Sequence, residues 1–401
     1  MKKRIPFVTL AVVIAASAFW IALGSQVVSY AQHMDFLSFY LGALIARRGD
    51  FHHLYDLAFI HKLQLSLFPQ SANVVPFTRP PFYAALLAPL TLLPLVPAFW
   101  VWVSAQVAAL IGCWIWFARR FGYDALIFAA LYFPTSVGIY NGQDPVWMLA
   151  IFLGSYALAE RERDLAAGAV LGLAVAKFHL LLLLPAVLIM KKRWRILAGF
   201  CATGAACAAV SVLLGGTSII EQYAALLLHH GNINTFEAPP ELQMSVRSIA
   251  LNAGFHSPIA AAVLIALCLL ALSVAIWRAP LWRWFSAACA ATLLVSPHVY
   301  RYDAGIMLLP ILLAIFCSTS RFTRIVAATA AIPIPYMAAF FGPPYSMAPA
   351  LVMFLFLIAL ACESAAEMKR RLPALKILRE DDNPAAPAHG TSCPHPTLSP
   401  R

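Results

Sequence analysis

Residues 257–277, SPIAAAVLIALCLLALSVAIW, carry no charged side chain, and the runs 7–29, 97–117 and 196–214 are equally free of charge and close to them in length. A helix crosses the roughly 30 Å hydrocarbon layer of a bilayer in about 20 residues, so runs of this kind are membrane spans. Lipid offers the backbone no hydrogen-bond partner, and the two-residue alternation of an outer-membrane barrel strand is absent, so the spans must be helices. Further apolar segments fall at 81–95, 125–139, 145–159, 165–176, 178–190, 285–297, 304–317, 325–341 and 347–361. The chain is therefore expected to be an all-α, polytopic integral membrane protein with about 11–13 transmembrane or re-entrant helices. Several segments are too short to cross alone. Pairs such as 165–190 read as hairpins or broken helices lining a protein-enclosed space.

Charge sets the orientation. The chain is 62% hydrophobic and 11% charged, with a formal net charge of +11. That excess does not point to nucleic acid, because it sits in short clusters between apolar runs: MKKR (1–4), ARR (118–120), KKRWR (191–195), RAPLWR (278–283), RFTR (321–324) and KRR (369–371). This is the positive-inside pattern. It gives a retained N-terminal anchor with a cytoplasmic N-terminus, and it assigns residues 30–80, 140–145, 215–256, 298–303 and 342–346 to the outer face. All clusters agree only if 81–117 crosses a net odd number of times, so one element there is expected to be re-entrant. In the first outer loop (30–80), the spacing of Phe36, Phe39, Tyr40, Ala43 and Leu44, and again of Ile60, Leu63, Leu67 and Phe68, predicts helices along the membrane surface. Residues 219–230 in the second long outer loop (215–256) predict another. The membrane domain is expected to span 1–365, followed by a Pro-rich, disordered cytoplasmic tail over 366–401. Seven of the eight cysteines lie in or at the ends of apolar runs and none forms a CxxC pair, so no zinc site is expected.

Polar residues collect at the outer boundary. They are Asp35, just after the first span; Arg79 in FTRPPF (77–82); Asn141, Gln143 and Asp144 in YNGQDP (140–145); and His298, Arg301, Tyr302 and Asp303 in SPHVYRYD (296–303). Lys177 in AKFHL (176–180) sits between two apolar segments, where an ammonium is costly unless paired or wetted. Such a set suits a lipid-linked phosphate: cations offset its charge, and a carboxylate beside it can take a proton from a sugar hydroxyl. Phosphate leaves readily, so one base suffices for an inverting displacement without the second carboxylate of a glycosidase. Plainer readings exist for each piece. An Asp after a span often opens a solvated loop, an Arg before Pro-Pro can snorkel, and Asn-Gly is a common turn. His52, His53 and His61 beside Asp56 read as surface histidines, and Gly168 with Gly172 as a helix-packing pair.

The segments DFLSFYLGALIARRGDFHHLYD (35–56), FTRPPFYAALLAPLTLLP (77–94), YNGQDPVWMLAI (140–151), AAGAVLGLAVAKFHLLLLLPAVLIMKKRWR (166–195) and SPHVYRYDAGIMLLP (296–310) together resemble a bacterial family once listed as a domain of unknown function. These are the polytopic, polyprenyl-phosphate-mannose-dependent glycosyltransferases of family 87. The resemblance implies a GT-C fold and an inverting hexosyltransferase, mannose being the first candidate sugar. Its donor would be a polyprenyl-phosphate sugar and its acceptor a lipid or glycan, at the outer face of the bacterial cytoplasmic membrane. It places the catalytic base on Asp35. It matches Pro80 and Pro81, Gly142 and Gln143, Lys177, and Ser296 to His298 to family motifs. Where the family usually has Asn and Pro, this chain has Asp144 and Phe178. On this reading Arg79, Lys177 and His298 hold the donor phosphate, while Asn141, Gln143, Asp144, Arg301, Tyr302 and Asp303 position substrate. No cofactor or metal is required, although Asp144 and Asp303 leave room for a divalent cation.

The rival reading is a transporter or flippase, with Asp35 and Lys177 as a gating pair. A third is an inactive relative that scaffolds an envelope complex. The topology is testable on its own. Cysteines introduced at positions 50 and 235 are expected to react with an impermeant maleimide added to intact cells, and one at 193 only after permeabilisation.

Overall fold

The computed structural model describes residues 6–31, 35–69, 73–229 and 240–380. Among them every regular element is a helix, and no strand forms. In the first half, α1 (Phe7–Ala31) precedes the region that holds α2 (Asp35–Arg48) and α3 (Leu57–Leu67). Next come a short α4 (Pro81–Leu87) with a 3-10 extension to Leu92, the long α5 (Leu95–Phe121), α6 (Ala125–Leu131), α7 (Phe133–Tyr140) and α8 (Pro145–Glu160). A hairpin of α9 (Asp164–Gly172), a 3-10 stretch Leu173–Leu181 and α10 (Leu184–Met190) precedes α11 (Trp194–Gly215). The following connection carries α12 (Ser218–His229) and α13 (Val246–Asn252). The chain closes with α14 (Pro258–Ile276), α15 (Leu281–Val295), α16 (Leu308–Cys317), α17 (Arg321–Ala331), α18 (Ile334–Ala338) and α19 (Ala348–Glu380).

Five helical stretches among the described residues are long and apolar enough to cross a bilayer: 95–121, 164–181, 194–215, 258–276 and 345–370. A sixth is α17 with Ile334–Phe341, bent by 50° at the break. Apart from α1, of which Phe7–Ala22 is the apolar stretch counted, the rest of the apolar chain is in shorter helices. Within 81–117 only α5 is a full span. Pro81–Leu92 instead packs against α2: Arg47 donates to the Thr91 carbonyl at 2.6 Å and Tyr40 to the Leu93 carbonyl at 2.9 Å.

The helix expected along the membrane surface at 36–47 forms, but residues 36–45 are all buried. Its sequence FLSFYLGALI is apolar on every side rather than along one stripe, and such a helix seeks cover. Phe77 presses on Gly42, and Phe99 and Trp102 of α5 pack on Phe36. By contrast α3 buries only Ile60 and Gln64 and exposes Leu65 and Leu67, as a helix at a boundary does.

The core centres on α15 and α16, buried without a break over 282–294 and 308–314. Within it Arg283, in the first turn of α15, donates to Glu363 at 3.0 Å and to the two Glu367 oxygens at 2.8 and 2.6 Å. Both acceptors are in α19. That helix runs through 365 to Glu380, so the boundary expected there falls inside a helix anchored to the core. The disorder expected further on concerns 381–401, outside the described residues.

The α9–α11 seam depends on close backbone approach. A Cβ on Gly168 would strike the Ile196 carbonyl oxygen, and one on Gly199 the Leu165 carbonyl oxygen. Small residues let transmembrane helices gain van der Waals contact that lipid cannot replace. Gly199→Ala is therefore expected to destabilise the protein in detergent by about 1–3 kcal/mol through overpacking, read as a lowered thermal midpoint. Gly204→Ala, with nothing within 4 Å of its Cβ, should leave the midpoint unchanged.

Candidate active site

The turn joining α7 to α8 organises the site. Gly142 adopts φ +70°, and a Cβ there would lie 2.5 Å from the Phe36 Cβ, so glycine lets this turn sit against the first turn of α2. Trp102 fixes it by donating its indole N–H to the Gly142 carbonyl at 2.8 Å. Pro145 then opens α8, where its missing N–H removes nothing from the helix. Asp144 occupies the N-cap, a place where carboxylates usually accept backbone N–H bonds, but makes no cap bond. Its oxygens are taken elsewhere.

Asp144 is fully buried and accepts from three side chains. Arg79 reaches it through Nε at 3.4 Å and Nη2 at 3.2 Å, the Tyr83 hydroxyl donates at 3.2 Å, and Lys177 Nζ donates at 3.0 Å. Arg79 Nη2 also donates to Gln143 Oε1 at 3.3 Å, and its guanidinium lies 5.4 Å from the Phe39 ring centroid. Lys177 sits where the helical path of 164–181 breaks, at φ −134° and ψ 61°. Its ammonium contacts Asp303 on the other side and lies 4.9 Å from the centroid of the Tyr302 ring. Asp303 also accepts the Tyr300 N–H at 2.8 Å, with His179 Nε2 3.7 Å from its Oδ2. Burial pushes both Asp144 and Asp303 up, but the cations more than offset this, Arg79 and Lys177 for the first and Lys177 for the second, holding both below the usual carboxylate range.

Two cations and two carboxylates thus cancel in a space nearly closed to solvent. Asp35, at the first residue of α2, is the odd charge. It is half-buried and has no ion pair of its own among the described residues; Gln143 is its hydrogen-bonding neighbour, and Lys177 and Arg79 act on it from further off. Burial dominates and pushes its carboxyl up to about 6. A carboxylate in that range accepts a proton more readily than an ordinary one yet remains charged at neutral pH.

The structure therefore brings Asp35, Arg79, Gln143, Asp144, Lys177, Tyr302 and Asp303 to one place from distant stretches of sequence. Arg79 and Lys177, expected to hold phosphate, spend their donors on carboxylates. Between Asp144 and Asp303 the Lys177 ammonium takes the position a divalent cation would need, and among the described residues no group of three His, Cys, Asp or Glu side chains is arranged to hold a metal. Asn141 and His298 are not fully buried and lie on the same two turns. Arg301 turns away from Lys177, its guanidinium 4.3 Å from the Phe340 ring centroid. Sequence reasoning missed Tyr83. Its signal was the spacing Arg79-x-x-x-Tyr83 across the start of a helix. It also missed Tyr55, whose hydroxyl donates to the Arg79 carbonyl at 2.8 Å.

The described residues thus form a multi-pass helical membrane protein with a buried, charge-balanced cluster beside Asp35. The sequence profile of glycosyltransferase family 87 matches residues 77–297, more than half of the chain. The chain belongs to that family and is a glycosyltransferase. The match includes Arg79, Gln143, Asp144 and Lys177, starts after Asp35 and ends before Asp303. No curated protein and no solved structure matches the chain.

Removing one member of the network should expose its cost. Asp144→Asn leaves two buried cations short of an anion and is expected to destabilise the protein by about 3–5 kcal/mol, against about 1 kcal/mol for Tyr83→Phe. Thermal unfolding in detergent measures both.

Proposed function

We propose that the protein is an inverting hexosyltransferase that moves a sugar, mannose as the first candidate, from a polyprenyl-phosphate donor to a lipid or glycan acceptor at the outer face of the bacterial cytoplasmic membrane. The observation that carries this reading is Asp35: the one carboxylate of the cluster without a cation of its own, half-buried at the mouth of a closed, charged site. Asp35 accepts the proton of the acceptor hydroxyl as that oxygen bonds to the anomeric carbon. The bond from that carbon to the phosphate oxygen breaks, and polyprenyl phosphate leaves with the electron pair. One displacement inverts the configuration, and no second carboxylate is needed.

The other residues serve geometry and field. Gln143 links Asp35 to Arg79. Lys177 and Asp303 fix the turn carrying Tyr302, leaving Tyr302 and Asn141 to meet sugar hydroxyls. The positive ends of Arg79 and Lys177, with His298 nearby, offset the donor's phosphate charge even while paired, because a low-dielectric surround screens them weakly. Acceptor and donor both being lipid-anchored would explain why the base stands where a first span meets the outer loop.

Transfer from a panel of radiolabelled polyprenyl-phosphate sugars by the purified protein tests this. Wild type should move label to a lipid or glycan acceptor, and Asp35→Asn should bind donor yet transfer nothing. Full activity of Asp35→Asn would remove the residue from the chemistry. No transfer from any donor by folded wild type would return the reading to lipid transport. Because the base works only when ionised and its carboxyl sits near 6, kcat/KM should climb as pH rises through about 6 and level off above it.

A further inference from the structure

Of the buried cations, Arg79, Lys177 and Arg283 each face a carboxylate. The partly buried Arg301 does not: its Nη1 atom is enclosed with no hydrogen-bond partner among the described residues. Burial alone disfavours its charge and pushes the guanidinium down. A guanidinium held this way is short of an anion. It lies one residue from Tyr302, the ring over Lys177, and Tyr302 in turn stacks on Tyr300 at 5.4 Å between centroids.

Its surroundings narrow the anion's class. Phe340, the ring under Arg301, is braced by Phe133 at 5.8 Å yet remains 59% exposed. Phe341 and Tyr345 beside it are 79% and 60% exposed. Phe340 and Phe341 end the second limb, Ile334–Phe341, of the bent apolar helix pair, and Tyr345 opens the apolar stretch 345–370. A cation followed by exposed aromatics fits an anion that carries an apolar chain: the fork takes two phosphate oxygens, and the rings lie along the chain.

We propose that Arg301 binds the phosphate of the lipid-linked donor and that Phe340 and Phe341 lead its isoprenoid chain out into lipid. This rests on the glycosyl-transfer reading. It makes Arg301 the phosphate ligand, with Arg79 and Lys177 acting from within their ion pairs. A phosphodiester brings one negative charge, which one guanidinium matches.

The test titrates the full-length protein in phosphatidylcholine nanodiscs with polyprenyl phosphate and with the corresponding polyprenol, following binding by native mass spectrometry. Arg301→Gln is expected to weaken polyprenyl phosphate binding about tenfold or more, the loss of a charged hydrogen bond, and to leave polyprenol binding as it was. Arg301→Lys keeps the charge without the fork and should fall between. Excess phosphatidylglycerol should not displace polyprenyl phosphate. Equal affinity of wild type and Arg301→Gln, or of wild type and Arg301→Lys where the Gln variant does not fold, would overturn the proposal. So would displacement by phosphatidylglycerol, which would make Arg301 a general headgroup contact. Wild type that binds no polyprenyl phosphate at all would bring down the proposed polyprenyl-phosphate donor with it, whereas unchanged binding in the Arg301 variants leaves that donor reading standing.

Discussion

An ammonium inside an apolar hairpin is the constraint on which the rest of this structure turns. Lys177 is 2% exposed, and burying it without compensation would cost several kcal/mol. Asp144 and Asp303 compensate it from two sides. To do so the chain breaks its helical path at Lys177, Asp144 forgoes its place as a helix cap, and the segment after α15 turns sharply to bring Asp303 inward. Each local departure from the easy conformation serves one ion pair. Arg79 then enters as the second cation that Asp144 can satisfy, and with it comes the first outer loop.

Convergence on one charge cluster also needs mechanical support, because ion pairs tolerate little slack. Glycines supply it where backbones meet: at the α9–α11 seam, which carries the Lys177 hairpin, and at Gly142, which seats the Asp144 turn on the first turn of α2. At the other end of α15, Arg283 ties the core to Glu363 and Glu367 of α19. The helices are thus fixed near both ends of the core, by charge at one and by charge and hydrogen bonds at the other.

Much of this was legible in the sequence, for physical reasons. Membrane spans follow from apolar length, so the all-helical, multi-pass fold class follows from composition alone. Lys177 stood out because a charge in an apolar setting demands an explanation. What could not be read was pairing. Asp144 and Asp303 looked like two more polar residues at the boundary, since nothing local tells a carboxylate 33 residues upstream that it will meet a particular lysine. The helix at 36–47 was placed on a surface because helical periodicity reports where apolar residues repeat, not whether the remaining faces are covered. The length of α19 was missed for a similar reason: charged residues after 365 read as solvated tail, yet Glu367 is a partner of a buried arginine.

The internal cancellation of Arg79, Asp144, Lys177 and Asp303 bears on turnover as well as on binding. In the reaction proposed above, the donor phosphodiester carries one negative charge, whereas the polyprenyl phosphate that leaves is a monoester carrying closer to two near neutral pH. A pocket with abundant free cations would grip the product harder than the substrate and stall after one transfer. Here the interior positive charges are already spoken for by carboxylates, and those same carboxylates repel the extra charge that the reaction creates. In the proposed reaction this weakens the hold on the product relative to such a pocket and eases its release toward the lipid.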